Sequence, residues 1–161
     1  GLTKVKSFPT TDLGVITSAT PYGKMESSLH PLRSYLTMGV SFIGSTMSSK
    51  MKDMSEMMFD AMNHPGFSIV HVQSPCTKYN NTYEALKGNA KKGIKPLAYD
   101  IPEGHDPSDI EAAQDVVNAD GIPLGVIYRD TNRPTFDQKV QDTTGNKNMK
   151  SIDEMFDALA I

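Results

Sequence analysis

A strand–helix–strand succession in the first half of the chain restricts the folds open to it more than any other feature. Residues 40–43 form a short apolar run between Gly39 and Gly44, which is typical of a buried strand. Residues 48–63 have the clearest helical periodicity in the chain, and residues 67–72 form a second apolar run. Two strands joined by a helix normally pair in parallel through a right-handed crossover. The sequence therefore predicts an α/β fold.

Methionine dominates one side of the predicted helix at residues 48–63. The chain has 10 methionines and no tryptophan. The apolar residues that share this side are Met47, Met51, Met54, Met58, Ala61 and Met62. Methionine is flexible and fills irregular gaps in protein cores. We therefore interpret this side of the helix as core-facing.

The rest of the chain reads as an alternation of short elements and polar connections. We divide it into an extended loop at 1–28, an α/β core at 29–140, and a linker with a terminal amphipathic helix at 141–161. Within these segments we predict helices at 30–38, 82–90, 106–119, 133–140 and 151–160, a surface connection at 88–104, a linker at 143–148 and a strand at 122–128. Pro123 and Gly125 interrupt that strand, which favours an edge or bent strand.

Size and charge exclude several classes of protein. With 161 residues, 38% of them hydrophobic, the chain suits one globular domain. A net charge of -3 without a clustered basic surface gives no nucleic-acid footprint. No window approaches the roughly 18 apolar residues of a membrane span. A single cysteine fits a reducing compartment, so we expect a cytoplasmic protein.

The only cysteine, Cys76, stands where the second predicted strand ends. Pro75 precedes it, and polar turn residues follow from Thr77 onward. In α/β proteins the ends of parallel strands are where ligands bind. One reading is a functional thiol at the rim of the sheet; the other is a buried, inert cysteine, the commoner fate of a lone one. A single cysteine cannot form an intrachain disulfide, so any function requires groups from outside this chain.

Other polar residues give weaker signals. The four histidines, His30, His64, His71 and His105, lack the spacing of zinc ligands. A basic run after Cys76 contains Lys87, Lys91, Lys92 and Lys95; we favour a solvated face over a contact with an acidic partner or phosphates. Asp12, Asp100 and Asp106 have no paired carboxylate at a suggestive spacing, so we assign no acid/base role.

Three separated stretches resemble the β subunits of 2-oxoacid:ferredoxin oxidoreductases. The first, residues 1–23, is similar to that family's Y-G-L-T-K-G-Q-x-S-P-T-T loop and the T-x-x-x-P-x-G segment after it. The second, residues 66–80, resembles a pattern that ends in P-C-x-x-[FY]-N. The third, residues 121–136, is close to a P-x-G-x-x-Y-x-x-x-R-x-x-[YF] ending. Their order and spacing agree with the family.

The resemblance implies the C-terminal part of a doubly wound, thiamine diphosphate-binding fold, with a mostly parallel sheet and helices on both faces. Family members need thiamine diphosphate, Mg²⁺ and a 4Fe–4S cluster. They decarboxylate a 2-oxoacid oxidatively with coenzyme A and pass the electrons through the cluster to ferredoxin.

The resemblance also assigns residues. Cys76 matches the family's fourth cluster ligand, the one distant from the other three. Thr3, Lys4, Pro9 and Thr10 match the loop beside cofactor and substrate, where Lys4 could pair with a carboxylate or phosphate. The segment 5–8 departs from the pattern, because valine and lysine replace the usual Gly-Gln and a phenylalanine replaces a serine.

The resemblance implies partners too. The family's other three cluster cysteines and its magnesium motif lie upstream of the motifs matched here, so we expect the C-terminal half of a β subunit. Its partners would be the N-terminal half, an α subunit, ferredoxin, a 2-oxoacid and coenzyme A. The alternative is a catalytically incompetent α/β fragment that acts only by association, including homo-oligomers through an exposed strand edge. On either reading we expect no nucleic-acid or membrane partner.

Overall fold

The computed structural model describes residues 6–78, 80–145 and 151–159. Its helices and strands are, in chain order, α1 (Pro31–Thr37), β1 (Phe42–Met47), α2 (Met51–Asn63), β2 (Ser68–Gln73), α3 (Tyr83–Lys87), a 3₁₀ helix (Ala90–Lys92), β3 (Ala98–Asp100), α4 (Ile110–Asn118), β4 (Ile122–Arg129), α5 (Phe136–Thr144) and α6 (Ile152–Leu159). Within these described residues, no helix combines the length and apolar character needed to cross a membrane.

The four strands form one mixed sheet in the order β2-β1-β4-β3. β1 and β2 are parallel, with Phe42 opposite Ser68 and Met47 opposite Gln73, and α2 forms the crossover between them. β3 and β4 are also parallel, whereas β4 runs antiparallel to β1. The predicted α/β fold with a mostly parallel sheet is confirmed, with one antiparallel pairing at its centre.

Two predictions about the sheet need correction. Of the two alternatives for the strand with Pro123 and Gly125, the edge strand is wrong, because β4 lies in the interior and pairs on both sides. The bent strand agrees with the register of β4 against β1, which shifts between Ile43 and Gly44. The segment 88–104 is also more than a surface connection, because it contains β3. A strand of three residues is too short to leave a periodic signal.

Helices cover both faces of the sheet. On one face α1 and α4 pack over a core that contains Val40, Ile43, Ala113, Val117, Ile127 and Tyr128. Because successive strand residues point to opposite faces, Gly44 faces the other side, where it meets α2. A Cβ at Gly44 would stand only 2.5 Å from Met57 Sδ, so the glycine lets α2 approach β1 closely.

The structure buries only part of the side that the sequence pattern favours: Met47 is buried, and Met54 and Ala61 are half-buried. Met57, outside the predicted apolar set, is the buried residue of α2. Met51, Met58 and Met62, which were expected in the core, are exposed in the structure. The interpretation of these methionines as core filler is therefore wrong within this chain.

The carboxyl-terminal part of the chain is helical and lies largely at the surface. Thr135 and Gln138 form a capping box at the start of α5, which extends through Thr144 into the predicted linker. The terminal amphipathic helix is present as α6, and its apolar residues Ile152, Met155, Phe156 and Leu159 are all exposed. The division of the chain into segments 1–28, 29–140 and 141–161 remains a prediction.

Candidate functional site

The loop before α1 carries most of the residues predicted to face a cofactor. Thr3 and Lys4 lie outside the described residues, so their assignment remains a prediction. Pro9 and Thr10 are described, and both are exposed. The backbone N–H of Leu29 donates to the Pro9 carbonyl at 2.8 Å, which attaches this part of the loop to the start of α1.

A buried lysine organises this loop. Lys24 is only 6% exposed, and its ammonium group donates to the carbonyl oxygens of Thr11 at 2.8 Å, Pro9 at 3.2 Å and Ser27 at 3.4 Å. An ammonium group has three donors, and three carbonyls accept them here. Lys24 thereby holds the backbone on both sides of Thr10. Nothing in the sequence distinguishes this lysine from a solvated one.

We expect the Lys24→Met variant to open this loop. Methionine keeps the length of the side chain but removes the ammonium donor that three carbonyls share, although the Pro9 carbonyl keeps its hydrogen bond from Leu29, and the loss costs about 1–3 kcal/mol. Limited proteolysis should cut the variant within residues 6–29 well before the wild type. Lys52→Met is the matched control, because the Lys52 side chain is 86% exposed. Equal cleavage of the two variants would show that the Lys24 hydrogen bonds do not hold the loop.

The loop and α1 enclose a shallow apolar groove of about 420 Å³. Phe8, Pro9 and Thr10 form one wall, and Ser34, Tyr35 and Met38 of α1 and its C-cap form the other. Two of the predicted cofactor-side residues therefore line a common surface with α1, which the sequence did not predict.

Tyr35 connects this groove to the sheet. Its ring centroid lies 6.1 Å from that of His71 on β2. The amide of Gln73 lies 2.9 Å from Nε2 of His71, and an amide N–H donated there requires an imidazole that is unprotonated at Nε2. Burial lowers the pKa of His71. A neutral histidine thus stands between the groove and the end of β2.

Cys76 follows the carboxyl end of β2 and is exposed. The Asn80 N–H donates to the Cys76 carbonyl at 2.9 Å, which closes the turn after the strand. The structure therefore differs from the reading of a buried, inert cysteine. An accessible thiolate is also the ligand type that iron–sulfur clusters use. Among the residues that the structure describes, no three His, Cys, Asp or Glu side chains group as a metal site.

The basic run after Cys76 is partly engaged within its own segment. Lys92 Nζ lies 2.8 Å from Glu84 Oε1, and Lys87 Nζ lies 5.3 Å from the centre of the Tyr83 ring. Hydrogen bonds from Lys92 and Asn89 lower the pKa of Glu84. These contacts agree with the interpretation of a solvated face.

A second neutral histidine lies at the end of α2. His64 is 8% exposed, and its Nε2 lies 3.1 Å from Ser41 Oγ. Its Nδ1 is buried without a hydrogen-bond partner in the described structure. Burial lowers the pKa of His64, and the Arg129 charge lowers it further against the opposing effect of Asp130.

We expect these two histidines to make folding sensitive to mild acid. Their pKa values are lower in the folded chain than the ordinary value of 6.5, so the unfolded chain takes up more protons below that pH. Stability should be complete above pH 6.5 and fall as the pH drops below it. Denaturant unfolding between pH 5 and 7.5 measures this. The double variant His64→Gln and His71→Gln should flatten the dependence, and an unchanged slope would contradict the assignment.

Comparison with known proteins identifies relatives for almost the whole chain. Residues 77–144 match the family described as the C-terminal region of the pyruvate ferredoxin oxidoreductase beta subunit. The chain is 24% identical over 149 residues to the 2-oxoacid:ferredoxin oxidoreductase subunit beta of Saccharolobus solfataricus, a match that covers 88% of this chain and 49% of the relative. It is 28% identical over 105 residues to the 2-oxoglutarate oxidoreductase subunit KorB of Mycobacterium tuberculosis, or 65% of this chain and 27% of the relative.

A solved structure is also similar to nearly the whole chain. The 2-oxoglutarate:ferredoxin oxidoreductase from Magnetococcus marinus, with 2-oxoglutarate, coenzyme A and succinyl-CoA bound, superimposes with a TM-score of 0.76 at 30% sequence identity. The match covers 95% of this chain and 52% of that chain. The chain thus spans about half the length of the Saccharolobus solfataricus subunit and of the Magnetococcus marinus chain.

Proposed function

Because this chain is a relative of the β subunits of 2-oxoacid:ferredoxin oxidoreductases, we propose that it forms the C-terminal half of such a subunit in an assembled enzyme. The family resemblance identified from three sequence motifs is confirmed by these relatives. The proposed reaction is the coenzyme A-dependent oxidative decarboxylation of a 2-oxoacid, with ferredoxin as electron acceptor. The chain alone would be inactive, and we place the assembled enzyme in the cytoplasm.

The observation that carries this proposal is the position of Cys76. It follows the carboxyl end of β2, its side chain is exposed, and it lies within the P-C-x-x-[FY]-N motif. A 4Fe–4S cluster would supply one-electron transfer to ferredoxin, and Cys76 fits as one of its four thiolate ligands. The remaining three would come from the other half of the β subunit.

The residues of the loop before α1 have a proposed role separate from cluster ligation. Pro9 and Thr10 would form part of the wall next to thiamine diphosphate and its Mg²⁺, while Thr3 and Lys4 would reach the substrate or coenzyme A. Lys24 supports this wall by fixing the carbonyls of Pro9 and Thr11. The exposed positions of Pro9 and Thr10 on the groove with α1 agree with contact to a larger neighbour.

The native assembly tests the proposed function directly. An affinity tag on this chain allows anaerobic purification of whatever assembly contains it, including an α subunit. We expect bound iron and sulfide, and ferredoxin reduction that requires both a 2-oxoacid and coenzyme A. Pyruvate, 2-oxoglutarate and branched-chain 2-oxoacids form the substrate panel. An iron-free assembly that reduces ferredoxin with none of these acids would contradict the proposal.

A second candidate function is association without catalysis. Its support is that the chain spans about half the length of two of its relatives. Titration with thiamine diphosphate and Mg²⁺ measures whether the isolated chain binds the cofactor by itself, and the same titration of the native assembly measures whether the assembly binds it. We expect no binding to the isolated chain in either case, and binding only in an assembly that is an enzyme.

A further inference from the structure

An apolar stripe on α2 lies open to solvent. Met51, Met58 and Met62 form this methionine stripe, with exposed fractions of 68%, 41% and 77%. Their spacing of seven and four residues places them on one side of the helix. The sequence pattern predicts that this side is buried, and the part of the chain that the structure describes does not bury it.

Two contacts fix the direction in which the methionine stripe faces. Asp60 Oδ2 lies 2.6 Å from Arg129 Nη2, so this side of α2 is turned toward β4. Met57 points down onto Gly44 of β1. Successive helix residues are about 100° apart, so Met58 follows Met57 on the side away from Asp60. The stripe therefore faces the β2 end of the sheet.

The strand at that end has the sequence of an interior strand. β2 is the terminal member of the order β2-β1-β4-β3, and its six residues are all only partly buried. Ile69, Val70 and Val72 are apolar residues that point to both faces, which is typical of parallel strands covered on both sides. The segment Ser68–Gln73 contains neither the lysine nor the proline that natural edge strands use to prevent pairing.

We propose that the β2 edge and the methionine stripe together form the surface where the rest of a β subunit docks. The incoming segment would add a strand beside β2 and place an apolar side over Met51, Met58 and Met62. Two of its relatives are about twice as long as the matched region, which provides a segment of the required size. This inference rests on the proposed function.

Hydrogen exchange on β2 and a charge on the stripe test the surface. We expect the β2 amides that do not face β1 to exchange at least tenfold more slowly in the native assembly than in the isolated chain.

Met58→Glu should lower recovery of the other β-subunit half, identified by peptide sequencing, at least tenfold. Met58→Leu, which keeps an apolar side chain at this position, should leave that recovery at the wild-type level. Ile110→Glu is the matched control, because Ile110 is 40% exposed and lies on α4, on the opposite face of the sheet from the methionine stripe. Both glutamate variants should keep the unfolding midpoint of the isolated chain.

The outcomes separate this surface from the function it rests on. An iron-containing, active assembly whose β2 exchange and recovery are unaffected by Met58→Glu overturns the docking surface alone. An assembly without iron or activity overturns the proposed function, and the docking surface with it. If sedimentation shows that the isolated chain dimerises with β2 protected, and the native assembly contains no further β-subunit sequence, the occupant is a second copy and our assignment is wrong.

Discussion

Cys76→Ala in the native assembly is expected to remove the iron–sulfur cluster. Alanine cannot ligate iron, and even loss of groups that only orient metal ligands costs about 10–100-fold in metal affinity or activity. We therefore expect iron content and 2-oxoacid-dependent ferredoxin reduction to fall at least ~10-fold, with loss of the visible absorbance of the cluster. Because Cys76 is exposed, the substitution should leave folding of the isolated chain unchanged.

Ser74→Ala is the matched control for this experiment. Ser74 is also exposed and lies in the same segment after β2, so it reports any disturbance of the turn itself. Cys76→Ser tests whether oxygen can replace sulfur at that position. A Cys76→Ala assembly that keeps its full iron content would remove Cys76 from the ligand set, even if the family relationship remains.

Phe42→Ala is expected to cause the largest loss of stability among the single substitutions considered. Phe42 is fully buried on β1, its ring centroid lies 5.5 Å from that of His64, and the Arg129 guanidinium lies 5.1 Å from the ring centre. Truncating a buried phenylalanine costs about 3–5 kcal/mol from lost burial and the cavity left behind. Denaturant unfolding of the isolated chain measures this loss.

Phe59→Ala is the matched control, because it makes the same substitution at an exposed position. Phe59 lies on the same side of the sheet in α2 but is 64% exposed, so its truncation should change the free energy of unfolding by less than about 0.5 kcal/mol. Similar losses for the two variants would mean that β1 is not the centre of the core in solution.

The sequence was sufficient for the fold class because the β1–α2–β2 unit combines two apolar runs with one long periodic helix. It failed where long-range pairing decides the structure. Pro123 and Gly125 indicate an edge or bent strand by their local chemistry, yet β4 is interior: its pairs with β1 run from Gly125 to Arg129, beyond Pro123, and their register shifts beside Gly44. Periodicity also cannot show whether the apolar side of a helix is buried by the same chain. In α2, Met51, Met58 and Met62 fit the apolar pattern and are exposed.

The candidate site was predictable in part for similar reasons. Cys76 was identified from its place after an apolar run, and its exposure follows from the turn there. Lys24 was missed because backbone carbonyls, which carry no sequence signature, hold its ammonium group. Likewise, the contact of Tyr35 with His71 joins α1 to β2 through tertiary packing that no local pattern encodes.

The antiparallel pairing of β1 with β4 has a consequence for biosynthesis. Phe42 pairs with Arg129, so the central strand obtains one of its two neighbours only after most of the chain has been translated. Closing such a distant contact is entropically costly and slows folding. Until β4 emerges from the ribosome, the nascent polypeptide displays an unsatisfied hydrogen-bonding ladder on β1, the kind of template that chaperones shield from neighbouring chains.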